Sequence, residues 1–147
     1  MNEGQIEKVN VNAAIRDTAL LFADTPMQLD YKIPEETCYV QMGPDSLKRL
    51  LNNLVKNAKQ ALVETENAKV VITAICKGDG VSISVSDNGP GVPTDMVSKI
   101  FHPNFTTKSS GTGLGLAICQ QIAQRAGGSI SLKPSKFGGA AFCVDLP

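Results

Sequence analysis

The sequence predicts an α+β fold, a two-layer α/β sandwich in which a mixed, mostly antiparallel sheet is covered on one face by about three helices. Three observations lead there. Segments with a two-residue apolar alternation and segments with a helical apolar period are interspersed, with no repeat and no low-complexity stretch. Two strand-like segments, "KVVITAICK" and "VSISVSD", are separated only by "GDG", the mark of an antiparallel hairpin. Finally, 147 residues at 42% apolar content suffice for one core, so residues 1–147 read as a single domain.

The elements follow in order. "NAAIRDTALLFA" (12–23) has helical spacing, with Asn12 as its expected N-cap. "MQLDYKI" and "CYVQM" read as short strands around the Pro34 turn. A long helix starts at "GPDSLKRLLNNLVKNAKQALVE", where Pro44 suits the first helical position because its missing N–H has no partner there anyway. After the hairpin come a Gly- and Pro-rich loop, a short helix near 94–101, an irregular segment over 102–112, a helix over 114–126, and strands around 129–133 and 140–146.

Charge excludes some functions. Fourteen Lys and Arg balance fourteen Asp and Glu without long runs, so neither nucleic acid nor an anionic membrane surface is favoured as a partner. No apolar run reaches membrane-spanning length, and "MNEGQIEKVN" lacks a signal-peptide core, so a cytoplasmic location is expected. Cys38, Cys76, Cys119 and Cys143 are widely scattered, and His102 is the only histidine. Small buried hydrophobes are therefore expected ahead of a disulfide, a zinc site or a nucleophile.

The long helix has one apolar stripe, Leu47, Leu50, Leu51, Leu54, Ala58, Ala61 and Leu62, which must face the sheet. Asn53, Asn57 and Gln60 fall together on its border. Carboxamides at i, i+4 and i+7 are poor choices where only solubility is needed, since Lys and Glu are better helix formers, although polar border residues are common. In "SISVSDNGPGV" (82–92), Asp87 ends an alternating strand beside Gly89 and Gly91. A plain turn would also use Asp-Asn-Gly, but a helix follows rather than a second strand. A carboxylate beside bare backbone is a good acceptor for an exocyclic amino group such as adenine N6.

"FTTKSSGTGLGLAICQQ" (105–121) places Gly111, Gly113 and Gly115 within five positions. It lacks the strand and spacing of a dinucleotide fingerprint and the Gly-Lys-Ser/Thr of a P-loop. What remains is a glycine-rich hinge whose N–H groups, with the helix N-terminus from Leu114, form an anion site suited to a polyphosphate under a mobile lid.

The ordered set "NNLVKNAKQAL", "SDNGPGVP", "IFHPNFTTK" and "SGTGLGLAICQQIAQRAGGSISL" resembles the N, G1, F and G2 boxes of the catalytic and ATP-binding domain of bacterial sensor histidine kinases. These belong to the superfamily of gyrase, heat-shock chaperone, histidine kinase and mismatch-repair ATPases, whose fold is the Bergerat ATP-binding fold. "NAKQAL" and "PNFTTK" are most similar to the nitrogen-regulation type. The resemblance covers the chain nearly end to end.

It implies ATP and Mg²⁺ as ligands, and it implies roles. Asn57 matches the asparagine whose amide oxygen binds Mg²⁺, and Asn53 the other N-box asparagine near the phosphates. Asp87 matches the adenine-binding aspartate, with Gly89 and Gly91 as the glycines of its loop. Lys108 lies in the lid, where it joins Asn53 and Asn57 as the expected catalytic set. Gly111, Thr112, Gly113, Leu114 and Gly115 form the closing glycine-rich segment. Phe101 and Phe105 match F-box aromatics, for which simple packing is the other reading. Some positions depart from the pattern: Gln60 stands where many such kinases carry a phosphate-contacting Lys, His102 and Asn104 stand where Glu and Phe are frequent, and "GGAAFCVDLP" carries alanines in place of Ser or Thr.

Asn53 also discriminates between functions. Gyrase-like and mismatch-repair members place a glutamate there to activate water, and an asparagine cannot act as that base. The resemblance thus implies a protein histidine kinase, transferring the ATP γ-phosphoryl group to a histidine. No His-Glu acceptor box or dimerisation hairpin precedes residue 12. The expected partners are therefore the dimerisation and phosphoacceptor domain of a larger parent and, indirectly, a response regulator. Whether that parent is membrane-anchored is left open. The alternatives are a nucleotide-binding regulatory module without phosphotransfer and an anti-sigma-type serine kinase.

Overall fold

The computed structural model describes residues 5–102 and 115–147. In chain order they form β1 (Glu7–Asn10), α1 (Val11–Leu21), β2 (Gln28–Lys32), β3 (Tyr39–Met42), α2 (Pro44–Ala61), β4 (Lys69–Lys77), β5 (Gly80–Asp87), a 3₁₀ turn (Thr94–Met96), α3 (Gly115–Arg125), β6 (Ser129–Pro134) and β7 (Ala140–Leu146). The main sheet has the order β2-β4-β5-β7-β6; β2 and β4 are parallel and the remaining pairs antiparallel. This is the expected α+β sandwich with a mixed, mostly antiparallel sheet.

Alternation builds the shared layer. Val70, Ile72 and Ala74 of β4, Val81, Ile83 and Val85 of β5, and Phe142, Val144 and Leu146 of β7 are all buried in one cluster with the helices. The stripe of α2 meets them: Leu47, Leu50, Leu51, Leu54, Ala58 and Leu62 are buried, together with Val55. Burying such a side chain contributes about 1.5–3 kcal/mol, so this stripe fixes which face of α2 the sheet takes. α3 lies beside α2 through small buried residues, Cys119 and Ala123. The Cys119 thiol donates to the Leu50 carbonyl at 3.7 Å, and burial pushes its pKa up to about 12.

Several local expectations are corrected. α1 is capped by Asn10, not Asn12: Asn10 Oδ1 accepts from the Ala13 N–H at 2.9 Å. Asn12 is instead 3% exposed and serves a tertiary purpose. Its amide donates to the Pro34 and Glu36 carbonyls, and its oxygen accepts from the Cys38 N–H at 3.0 Å. The two strands expected around Pro34 are present as β2 and β3, but β1 is unanticipated, and β3 pairs with it in a separate antiparallel ribbon. The short helix expected near 94–101 is a single 3₁₀ turn followed by irregular turns. Cys38 and Cys76 form a disulfide with their Cα atoms 5.8 Å apart, against the expectation of reduced, separate cysteines. Cys119 and Cys143 are free, the first buried and the second half-buried.

Candidate functional site

Strand β5 ends on Asp87, which is only 3% exposed. Oδ1 of its carboxylate accepts from the Gly89 N–H at 2.9 Å and from the Ala140 N–H at 3.2 Å. The first bond turns the chain sharply after the strand; the second comes from β7, which the sheet register sets beside β5 with Ser86 opposite Ala141. Two backbone donors on one oxygen fix the orientation of the carboxylate.

The surrounding backbone is kept close by the absence of side chains. A Cβ on Gly139 would overlap Asp87 Oδ1 and sit 2.6 Å from the Asp87 carbonyl and the Gly89 nitrogen. A Cβ on Gly89 would lie 3.1 Å from Leu62 Cδ2 and 3.2 Å from Asp87 Oδ1. Gly91 has φ +79°, a left-handed conformation that glycine adopts without strain. Asn88 ties the same loop to the start of β4, accepting from the Lys69 N–H at 2.8 Å and donating to the Asn67 carbonyl at 2.9 Å. The Lys69 ammonium lies 5.1 Å from the Phe137 ring centroid, linking that corner to the β6–β7 turn. Three segments, 67–69, 87–91 and 137–140, thus meet at the Asp87–Asn88 corner, the first bonded to Asn88 and the last to the Asp87 carboxylate.

The C-terminal end of α2 approaches this junction, since the Gly89 position faces both Leu62 and the Ala61 carbonyl. Asn53 and Asn57 are half-buried and Gln60 is exposed, on the border of the same helix. At 1.5 Å per residue, Asn57 sits about 6 Å and Asn53 about 12 Å along the axis before Ala61. A neutral amide oxygen suits a hard divalent cation. Among the described residues no group of three or more His, Cys, Asp or Glu could hold a metal ion. A cation beside Asn57 would therefore take its other ligands from phosphate oxygens and water, the usual arrangement for Mg²⁺ with a nucleotide. The residues present fit that group.

The structure thus brings Asp87, Gly89 and the end of α2 together. Gly115 opens α3, and among the described residues none beyond its own neighbours comes within 4 Å of a Cβ built on it. Lys108, Gly111, Thr112, Gly113, Leu114, Asn104 and Phe105 lie outside the described residues. Phe101 packs edge-on against Phe142 with centroids 6.1 Å apart, so packing accounts for it. Residues that sequence reasoning missed are Asn88, Gly139 and Ala140. The Gly138-Gly139 pair before the last strand is the one local signal for them, and its meaning depends on β7 lying beside β5.

Comparison with known proteins agrees with this geometry. Residues 42–147 match the family described as histidine kinase-, DNA gyrase B-, and HSP90-like ATPase. The sensor histidine kinase ZraS of Escherichia coli K12 is 35% identical over 146 residues, covering 97% of this chain and 31% of ZraS. The chain thus spans about a third of the length of such curated relatives. The nucleotide-free catalytic domain of histidine kinase ThkA is 34% identical with a TM-score of 0.88, covering 97% of this chain and 95% of that one. ThkA in complex with the response regulator TrrA aligns with a TM-score of 0.81 and 31% identity, covering 97% of this chain and 41% of that one.

Proposed function

Because the chain belongs to the histidine kinase-, DNA gyrase B- and HSP90-like ATPase family, and resembles its histidine-kinase catalytic domains throughout, we propose that it binds ATP and transfers the γ-phosphoryl group to a histidine on a separate dimerisation domain. The observation that carries this reading is the locked Asp87 carboxylate, set at the corner where three segments meet, with Gly139 clearing the space around it.

In this reading Asp87 accepts the adenine amino group, while Gly89 and Gly91 allow the ring to approach. Asn57 would hold Mg²⁺ through its amide oxygen, and Asn53 and Gln60 would serve the phosphates. Mg²⁺ supplies neutralisation of the charge on the phosphate oxygens when bound. The sequence resemblance assigns Lys108, Gly111, Thr112, Gly113, Leu114 and Gly115 to the phosphates. The domain's contribution is positioning and electrostatic stabilisation, because the acceptor histidine comes from elsewhere and Asn53 provides no base toward water. The immediate partner is the dimerisation and phosphoacceptor domain of a longer parent, and a response regulator follows it in the phosphorelay. The "NAKQAL" and "PNFTTK" sequences support placement with the nitrogen-regulation type. No helix among the described residues is long and apolar enough to cross a membrane, and a cytoplasmic location suits a kinase that consumes ATP.

The test is incubation of the chain with Mg²⁺ and γ-labelled ATP, alone and with the parent's acceptor domain. Acid-labile phosphohistidine on the acceptor domain, with little hydrolysis by the chain alone, is the expected result. Nucleotide binding without transfer would favour a regulatory module, and acid-stable phosphoserine a serine kinase.

A further inference from the structure

The disulfide lies at the opposite end of β5 from Asp87. Cys76 pairs across the hairpin with Val81, six residues from Asp87, or about 20 Å along the strand. Cys38 is 1% exposed and stands immediately before β3, whereas Cys76 is half-buried. Cys38 is held by its backbone as well: its carbonyl accepts from the Val11 N–H at 2.8 Å and its N–H donates to Asn12 Oδ1. The bond to Cys76 therefore connects the main sheet to the point where the β1–β3 ribbon and the start of α1 meet. The Cα separation of 5.8 Å lies within the range that disulfides span without backbone movement.

We infer that Cys38 and Cys76 are a reversible thiol–disulfide modification site that fastens the β1–β3 ribbon to the nucleotide-binding sheet. Differential exposure sets the direction of exchange. A thiolate of the glutathione class attacks Sγ of half-buried Cys76; the bond between the two cysteine sulfurs breaks, and its electron pair leaves on Cys38, which takes up a proton. A second reductant thiolate attacks the mixed disulfide, releasing Cys76 as a thiolate that is protonated in turn. Two electrons and two protons are gained by the protein, and the reductant leaves as its disulfide. Glutathione disulfide drives the reverse sequence. In a reducing compartment such bonds are transient and regulatory rather than permanent.

The consequence is local. The ribbon is short, with four residues in each strand, and a two-stranded ribbon is marginal without additional restraint. Reduction releases one of its fastenings while leaving Asp87 and its backbone donors untouched.

The experiment equilibrates the whole chain in glutathione buffers from fully oxidised to fully reduced, approached from both directions, then denatures it in acid and labels free thiols. Of four cysteines, two are free in the bridged form, so the label count should move between two and four and reverse. Amide exchange in residues 7–10 and 39–42 should quicken by about tenfold or more on reduction, with ATP affinity within about twofold of the oxidised protein. The thermal midpoint should fall on the order of 10 °C. The Cys38→Ala/Cys76→Ala double variant should reproduce the reduced exchange pattern and lose its response to the buffer. Four labels throughout the oxidising range would overturn the inference. So would a bridge whose reduction leaves ribbon exchange unchanged, or a redox-dependent exchange that persists in the double variant.

Discussion

At its C-terminal end β5 delivers Asp87 into a junction of three segments held by hydrogen bonds from backbone N–H groups and by Asn88. At its N-terminal end the same strand meets a tight hairpin, an apolar layer and the Cys38–Cys76 bridge. The first end keeps a carboxylate oriented and its surroundings clear of side chains, which is what recognition of a small ligand needs. The second joins elements that are too small to stand alone. A strand that at one end is paired with a covalently fastened neighbour and set in an apolar layer can present a polar group at the other without giving up its register. The two ends should therefore respond to substitution in different measurements.

The largest effect should come from Gly139→Ala. The added methyl meets Asp87 Oδ1, the Asp87 carbonyl and the Gly89 nitrogen, two of which are backbone atoms that cannot turn aside. Displacing them should weaken ATP binding by at least about 2 kcal/mol, roughly thirtyfold, with some loss of stability as well. Calorimetric titration measures the first and thermal melting the second. Unchanged affinity would mean that the loop junction does not shape the ligand site.

Asp87→Asn should follow closely but without a stability cost of that size. Asparagine retains an acceptor for the Gly89 and Ala140 N–H groups and replaces the other carboxylate oxygen with an amide donor. The loops keep their positions while the charge is lost, so affinity should fall by about 1.5–3 kcal/mol, tenfold or more. A melting temperature within about 2 °C of the parent, combined with that loss, would separate recognition from folding at this end.

These two residues also show what could be read from the sequence. Asp87 was legible because a carboxylate at the end of an alternating strand, followed by glycines, is a local pattern. Gly139 was not, since its role comes from a partner 52 positions away, brought close only by the β5–β7 register. The long helix α2 and the hairpin were legible for the same local reason, as seven apolar positions at helical spacing leave one face to bury. β1 was missed because "EKVN" is short, half charged and only partly covered. Asn12 is the expected cap of α1; the Pro34, Glu36 and Cys38 backbone groups occupy it instead, and Asn10 takes the capping place. Cys38 and Cys76 lie 38 positions apart, and nothing local indicates that β4 brings them together.

Between the two ends of β5 lies the apolar layer, and Cys119 probes it through pH. Desolvation raises its thiol from an ordinary 9.0 to about 12 in the folded protein. The folded state therefore favours the neutral thiol, a contribution that is intact below pH 9 and is lost as pH rises from about 9 toward 12, where the unfolded chain has already released its proton. The slope is on the order of 1 kcal/mol per pH unit, so about 2 kcal/mol should disappear between roughly pH 9 and 11. Denaturant titrations of the chain and of Cys119→Ala across that range isolate the term, because other alkaline titrations are common to both. Parallel curves would show that the α2–α3 contact is more hydrated than its burial indicates.

The smallest effect is expected from Asn10→Ala, at the junction of β1 and α1. Asn10 Oδ1 satisfies the Ala13 N–H, one of the donors that the first turn of α1 leaves without an intrahelical partner. Removing that cap should cost about 1 kcal/mol, or about 2–4 °C in melting temperature. Because α1 begins where Cys38 and Asn12 are tied together, the bridge restrains the same turn from the other side. The cap and the bridge should therefore be coupled: the cost of Asn10→Ala should be greater in the reduced protein than in the oxidised one. Thermal melts of both proteins in oxidising and reducing glutathione buffer give the four values of a double cycle. Equal costs in the two buffers would show that α1 is held independently of the disulfide and that the bridge acts on the ribbon alone.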